Sequence, residues 1–169
     1  MGDRTQRWLW PLLINVSLAQ ASIYVMRPMI TYRALENGAS GYEIGLIAAV
    51  YALVPLLIAV PMGRWVGKIG ERPLLFAGCL SFIFLGIAFA FLNNIIAIAA
   101  ATAIAGIAHL SNVASSQAMV ANRSPMNLQD QNFGYFSFST SLGHSVGPAL
   151  GGVIAGSAGV LPRSSTSAF

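Results

Sequence analysis

The chain has 169 residues, of which 56% are hydrophobic and 8% charged, and its mean hydropathy is +0.68. That balance excludes a disordered segment and an ordinary soluble domain, and it points to a protein built for a bilayer. The formal net charge of +4 does not signal nucleic acid, because the bases gather at the ends of apolar runs rather than along one face. A lone Cys79 rules out an internal disulfide and a cysteine metal cluster, and reads as a small core residue.

A hydrocarbon core of about 30 Å is crossed by a helix of about 20 apolar residues. Five segments have that length: Trp8 to Thr31, Tyr42 to Met62, Leu74 to Leu92, Ile95 to Ala121 and Gly134 to Ala155. Arg4 and Arg7 precede the first and place the N-terminus on the cytoplasmic side. Within it, Ala19-Gln20-Ala21 has the form of a signal-peptidase site, but the apolar run continues to Ile30, which suits a spanning helix better. Ser17, Gln20, Tyr24, Arg27 and Thr31 recur at spacings of three and four and so share one helical face. A polar face in a membrane helix turns toward protein or a water-filled cavity. Arg27 has two readings: a fixed cation for an anionic substrate or a partner carboxylate, or a side chain about one turn from the outer end that snorkels to the headgroups.

Tyr32 to Ser40 reads as an external loop, ending in Ser40-Gly41-Tyr42-Glu43, the pattern of a capping box. Glu43 is thereby a cap rather than a catalytic acid. In the second helix Gly45, Ala48, Ala49 and Ala52 form a small-residue face suited to helix packing, and Pro55 and Pro61 predict bends. Gly63 to Pro73 follows as the most basic short loop, with Arg64, Lys68 and Arg72, and anchors this side in the cytoplasm. The third helix, opened by Pro73 in its first turn, is almost wholly apolar and predicts lipid contact. Asn93-Asn94 makes an external turn. The fourth helix is polar on one side, where Thr102, His109, Asn112 and Ser116 lie close together in projection. Arg123 to Asn132 returns to the cytoplasm. Arg4, Arg7, Arg64, Lys68, Arg72 and Arg123 then fall inside against Arg33 and Arg163 outside.

The fifth segment reads GYFSFSTSLGHSVGPALGG from Gly134 to Gly152. Gly143, Gly147 and Gly151 recur every fourth residue and form a stripe without side chains where another helix can approach. Pro148 cannot donate to the carbonyl of His144, which predicts a bend. Ser137, Ser141, His144 and Ser145 share the adjacent face. His109 and His144 can each carry a proton near neutral pH, or act as neutral groups hydrogen-bonded to hydroxyls nearby. Asp3, Glu36, Glu43, Glu71 and Asp130 all fall in loops or at helix ends, so no carboxylate lies mid-membrane. No nucleophile with a base and no metal-ligand cluster is visible, which argues against an intramembrane enzyme.

A Gly, eight residues, a Gly, three residues, Gly-Pro, two residues and Gly-Gly resembles the antiporter motif in the fifth helix of the major facilitator superfamily. Gly134, Gly143, Gly147, Pro148, Gly151 and Gly152 fill each place. A generic packing stripe is the alternative reading, but it does not account for Gly134 and Gly152. The loop between helices two and three resembles that family's gating loop at Gly63, Lys68, Gly70 and Arg72; it departs with Gly67 at the family's Asp and Pro73 at its last base. Thr102 aligns with the Arg that many proton-driven members carry, so that Arg is absent here.

The resemblance implies an all-α polytopic membrane protein of about five transmembrane helices. Residues 1–156 correspond to part of a major facilitator N-terminal domain, and 157–169 form a polar C-terminal tail. It implies a secondary transporter exporting small molecules by proton antiport from the membrane of a cell, a bacterial inner membrane. Gln20, Tyr24, Arg27, His109 and His144 are then candidates for the substrate or proton pathway. No cofactor, metal or nucleic acid is implied; the partners are the lipid bilayer, a small-molecule substrate, and a missing C-terminal half or second copy. In the family the fifth helix faces the eighth, so the glycine stripe is expected to stand bare here. Arg27 and the lack of a mid-membrane carboxylate favour an organic-anion exchanger or symporter as the alternative. A non-transporting membrane scaffold or non-functional fragment would also explain the packing stripes.

Overall fold

The computed structural model describes residues 6–157, with side-chain surroundings as far as Val153. Of the polar tail only Ser157 is described, and it closes the last helix; Arg4 and Arg163 lie outside the described residues. Five helices follow one another: α1 (Leu9–Glu36), α2 (Gly41–Ile69), α3 (Glu71–Phe91), α4 (Ile95–Arg123) and α5 (Gln129–Ser157), with a short 3-10 turn at Met126–Leu128. All five expected helices are present, but most run further than their apolar cores. The helix of α1 continues through Tyr32 to Glu36, and that of α2 through Gly63 to Ile69. Hydropathy falls where a helix leaves the hydrocarbon, whereas its backbone bonding does not. At 1.5 Å per residue, the 28 or 29 residues of α1, α2, α4 and α5 extend about 42–44 Å, well past a core of about 30 Å.

The basic loop therefore shrinks to one residue. Gly63, Arg64 and Lys68 are helical, and Gly70 alone, at φ +96°, turns the chain from α2 into α3. A side chain is strained at that angle. The turn after α1 is a Schellman motif: Ala39 N–H bonds Ala34 O at 3.0 Å, and Gly38 N–H bonds Leu35 O at 2.9 Å, with Gly38 at φ +80°. The capping box follows as expected, Ser40 Oγ accepting from Glu43 N–H at 3.3 Å and Glu43 Oε2 accepting from Ser40 N–H at 2.7 Å. Such a cap is worth about 1 kcal/mol. Arg33, placed by sequence in the loop, lies in the last turn of α1. It donates to Ala90 O, Leu92 O and Asn93 Oδ1 at 3.1, 3.1 and 2.8 Å, so it covers carbonyls that α3 leaves open at its end.

Helices α1 and α4 form the centre. α5 packs along α1, while α2 and α3 pack on α4. At one end Leu9, Leu12 and Leu13 of α1 meet Met119 and Val120 of α4 and Phe136 of α5. At the other, Ile30 and Ala34 of α1 meet Ile47 of α2 and Ile98 of α4. Chain direction thus alternates, and the bases Arg7, Arg64, Lys68, Arg72 and Arg123 collect at one end. The outer surface carries Leu53, Leu56, Leu57, Val60, Phe76, Phe84 and Ile87, an apolar face that suits lipid.

Four helices, α1 to α4, are long and apolar enough to cross a membrane. α5 has the length, but its glycines, serines and polar first turn keep its hydropathy low; its packing along α1 is what seats it in the bundle. Interhelical hydrogen bonds add to that packing: Ser17 Oγ to Ser139 O at 2.9 Å, and Ser111 Oγ to Leu74 O at 2.9 Å. Cys79 does more than fill space. Its thiol donates to Asn15 Oδ1 at 3.0 Å and receives Asn112 Nδ2 at 3.4 Å, which ties α3 to both central helices.

Candidate substrate and proton pathway

Gly143 and Gly147 are buried against α1. A Cβ on Gly143 would sit 2.5 Å from Ser17 O and 2.6 Å from Gln20 Cβ, and one on Gly147 would sit 2.7 Å from Tyr24 Cβ and 2.9 Å from Ala21 O. The expectation of a bare stripe is corrected: within this chain it is covered, and its partner is α1. Gly151 is less constrained, with Val25 Cα at 3.6 Å, and Gly134 and Gly152 face open space. Pro148 is exposed and lies inside a helix that continues to Ser157. On the α2 side the close approach comes from Gly106 of α4, where a Cβ would lie 2.6 Å from Tyr51 O. The small-residue face of α2 is not the packing surface expected of it. Gly45 faces open space, and Ala48 and Ala52 line a cavity.

These approaches bring together all five residues proposed for the pathway. Gln20 of α1 is buried, and its Oε1 lies 3.2 Å from His109 Nε2 of α4 and 3.3 Å from His144 Nε2 of α5. An amide oxygen only accepts, so each imidazole carries hydrogen on Nε2. Neutral His109 then accepts at Nδ1 from the Tyr51 hydroxyl, 2.8 Å away. The Tyr24 ring lies 4.5 Å from that of His144. The Arg27 guanidinium carbon is 5.4 Å from the Tyr24 ring centre and 4.7 Å from that of Tyr51, within the range of cation–π attraction. Four helices thus contribute to one continuous polar group.

The snorkelling reading of Arg27 assumed a helix ending near Thr31. The backbone of α1 continues to Glu36, past an apolar run that ends near Thr31, and the guanidinium of Arg27, an exposed residue, is placed at the rings of Tyr24 and Tyr51. Arg27 and Thr102 also line the same cavity, of about 300 Å³. The other residues of the polar face of α4 diverge: Asn112 turns to Cys79, and Ser115 and Ser116 are fully buried without a side-chain partner. Ser137, Ser141 and Ser145 of α5 are exposed and do not join His144 at Gln20. Tyr51 was missed. Its signal was a polar-tipped aromatic within an apolar helix.

At the basic end Lys68 and Arg72 are exposed, and Gly63 has open space around it. The pairing there belongs to other residues: Asn122 Nδ2 donates to Glu71 Oε1 at 2.8 Å, and Arg123 stands 3.7 Å from Glu71. This ties the start of α3 to the end of α4, with the small energy of a partly exposed pair.

Long apolar helices crossing in alternate directions, with a polar group in the centre of the bundle, define a multi-pass membrane protein. The chain belongs to the Major Facilitator Superfamily, whose model matches residues 12–167. It is similar to the quinolone resistance protein NorA of Staphylococcus aureus strain N315, at 25% identity over 147 residues, 87% of this chain and 38% of that protein. It is similar also to multidrug resistance protein 1 of Bacillus subtilis strain 168, at 25% identity over 144 residues, 85% of this chain and 37% of the relative. The chain therefore spans well under half the length of these two resistance proteins.

Proposed function

We propose that the chain is the N-terminal part of an exporter of small molecules driven by proton antiport, seated in a bacterial inner membrane with its N-terminus in the cytoplasm. The observation that supports this most is the sharing of Gln20 by His109 and His144. The carboxylates among the described residues, Glu36, Glu43, Glu71 and Asp130, lie at helix ends, so in the bundle centre proton exchange falls to the two imidazoles held at the shared acceptor. They are joined through an acceptor on a third helix, so a change of charge at one is felt at α1, which also carries Arg27. The covered glycine stripe keeps α5, and with it His144, within reach.

The test is export of a preloaded fluorescent organic solute from cells expressing this chain together with a C-terminal half. Export should stop when a protonophore collapses the proton gradient, and His109→Ala with His144→Ala should abolish the gradient-dependent part. Export that survives both treatments would rule out antiport through these histidines. Orientation is read separately: a cysteine label at Lys68 should be inaccessible from outside intact cells and one at Asn93 accessible, since the bases gather at the Lys68 end. The reverse pattern would invert the topology.

A further inference from the structure

We propose that the cavity between α1, α2 and α4 binds an amphiphilic organic anion, its charged head on Arg27 and its apolar body against Ile30, Ile44 and Ile47. The inference rests on the transport reading above and names the substrate class of that same path. The cavity holds about 300 Å³, the lower end of the range for small-molecule sites, which fits one or two fused rings. Its walls are apolar except for Arg27, Thr31, Tyr51 and Thr102. Thr102 Oγ1 is already bonded to Ile98 O at 2.7 Å, and Thr31 Oγ1 to Arg27 O at 3.3 Å. The one full charge in the lining is thus a cation.

That cation is prepared for an anion. Tyr24 and Tyr51 approach the guanidinium at 5.4 and 4.7 Å from their ring centres and hold it in place without neutralising it. Among the described residues the ion pairs are Arg33 with Glu36 and Arg123 with Glu71, and no carboxylate is paired with Arg27. A guanidinium held by rings keeps its N–H fork for a planar two-oxygen head. Ala48 and Ala52, small residues that α2 contributes to the same lining, leave room for the body of the ligand. A lipophilic cation would meet repulsion from Arg27 here and no compensating carboxylate.

The test uses the whole 169-residue chain in nanodiscs of phosphatidylcholine, with 1-naphthoate and the uncharged 1-naphthamide as probes in equilibrium dialysis. Naphthoate should bind at least about tenfold more tightly, the difference made by a charge-assisted bidentate contact. Arg27→Gln should erase the preference, Arg27→Lys should keep part of it, and Ala48→Leu should weaken both probes by filling the cavity. Equal binding of the two probes to the unaltered chain, or a preference that survives Arg27→Gln, would overturn the proposal. If phosphatidylglycerol added to the discs displaces naphthoate completely, the head site belongs to a lipid and the proposal also fails. Binding is read without transport, so a site that binds in cells that do not export would count against the transport reading alone.

Discussion

Gly143→Ala and Gly147→Ala should each destabilise the bundle by about 1–3 kcal/mol, whereas Gly134→Ala and Gly152→Ala should leave it unchanged or slightly more stable. The reason for the split is geometric. At Gly143 and Gly147 the added methyl would fall within 3.0 Å of Ser17 O and Ala21 O, backbone atoms that cannot move aside without shifting α1 as a body. Loss of that approach forfeits dispersion contacts along the pair of helices and pulls Ser17 Oγ from Ser139 O; in a membrane such contacts, with no hydrophobic force to replace them, hold helices together. At Gly134 and Gly152 the methyl meets open space, and alanine is the better helix former by up to about 1 kcal/mol. Gly151, with Val25 at 3.6 Å, should tolerate alanine but not leucine. Detergent-induced unfolding followed by helical circular dichroism reads the order. A Gly134→Ala variant as damaged as Gly147→Ala would show that the motif is constrained by something other than contact with α1.

Those five glycines mark what is legible in the sequence. A stripe at every fourth residue identifies a close-packing face from one helix alone, because the 3.6-residue repeat fixes which side chains lie together. It does not identify the opposing helix, which depends on how five cylinders stack, and an expected gap turned out to be filled by α1. Polar faces behaved alike. Gln20, Tyr24, Arg27, His109 and His144 were legible as members of polar stripes on three helices, and burial of polar groups without water made their convergence the economical arrangement. Tyr51 was not legible, since a lone tyrosine in α2 has no periodic partner and its role appears only once His109 is beside it. Helix ends were underestimated for a third reason. Hydropathy marks the lipid, whereas caps such as Ser40 and Gly38 mark the backbone, and only the latter set where helices stop.

Among the polar residues, Gln20→Leu should have the largest effect on transport, reducing gradient-driven export by a C-terminally completed protein to background. Leucine is close to glutamine in size, so the α1 contacts with Gly143 survive, but the acceptor shared at 3.2 and 3.3 Å by His109 and His144 is gone. Two imidazole N–H groups then lose their partner, a cost of about 1–3 kcal/mol after water or a tautomer change relieves part of it. The histidines also lose the link through which either could influence α1 and Arg27. Tyr51→Phe should be intermediate: it keeps the ring under Arg27 at 4.7 Å but removes the hydroxyl that faces His109 Nδ1, releasing one imidazole and leaving the other held. Tyr24→Phe should be nearly silent, because Tyr24 meets His144 and Arg27 with its ring. Measuring export rate beside the unfolding midpoint for each variant separates lost coupling from lost fold. The order Gln20→Leu, Tyr51→Phe, Tyr24→Phe in export, with midpoints falling by far less than export does, is the expected result. If Tyr24→Phe stops export as completely as Gln20→Leu, or if Gln20→Leu exports normally, the shared amide is a packing device and protons cross elsewhere.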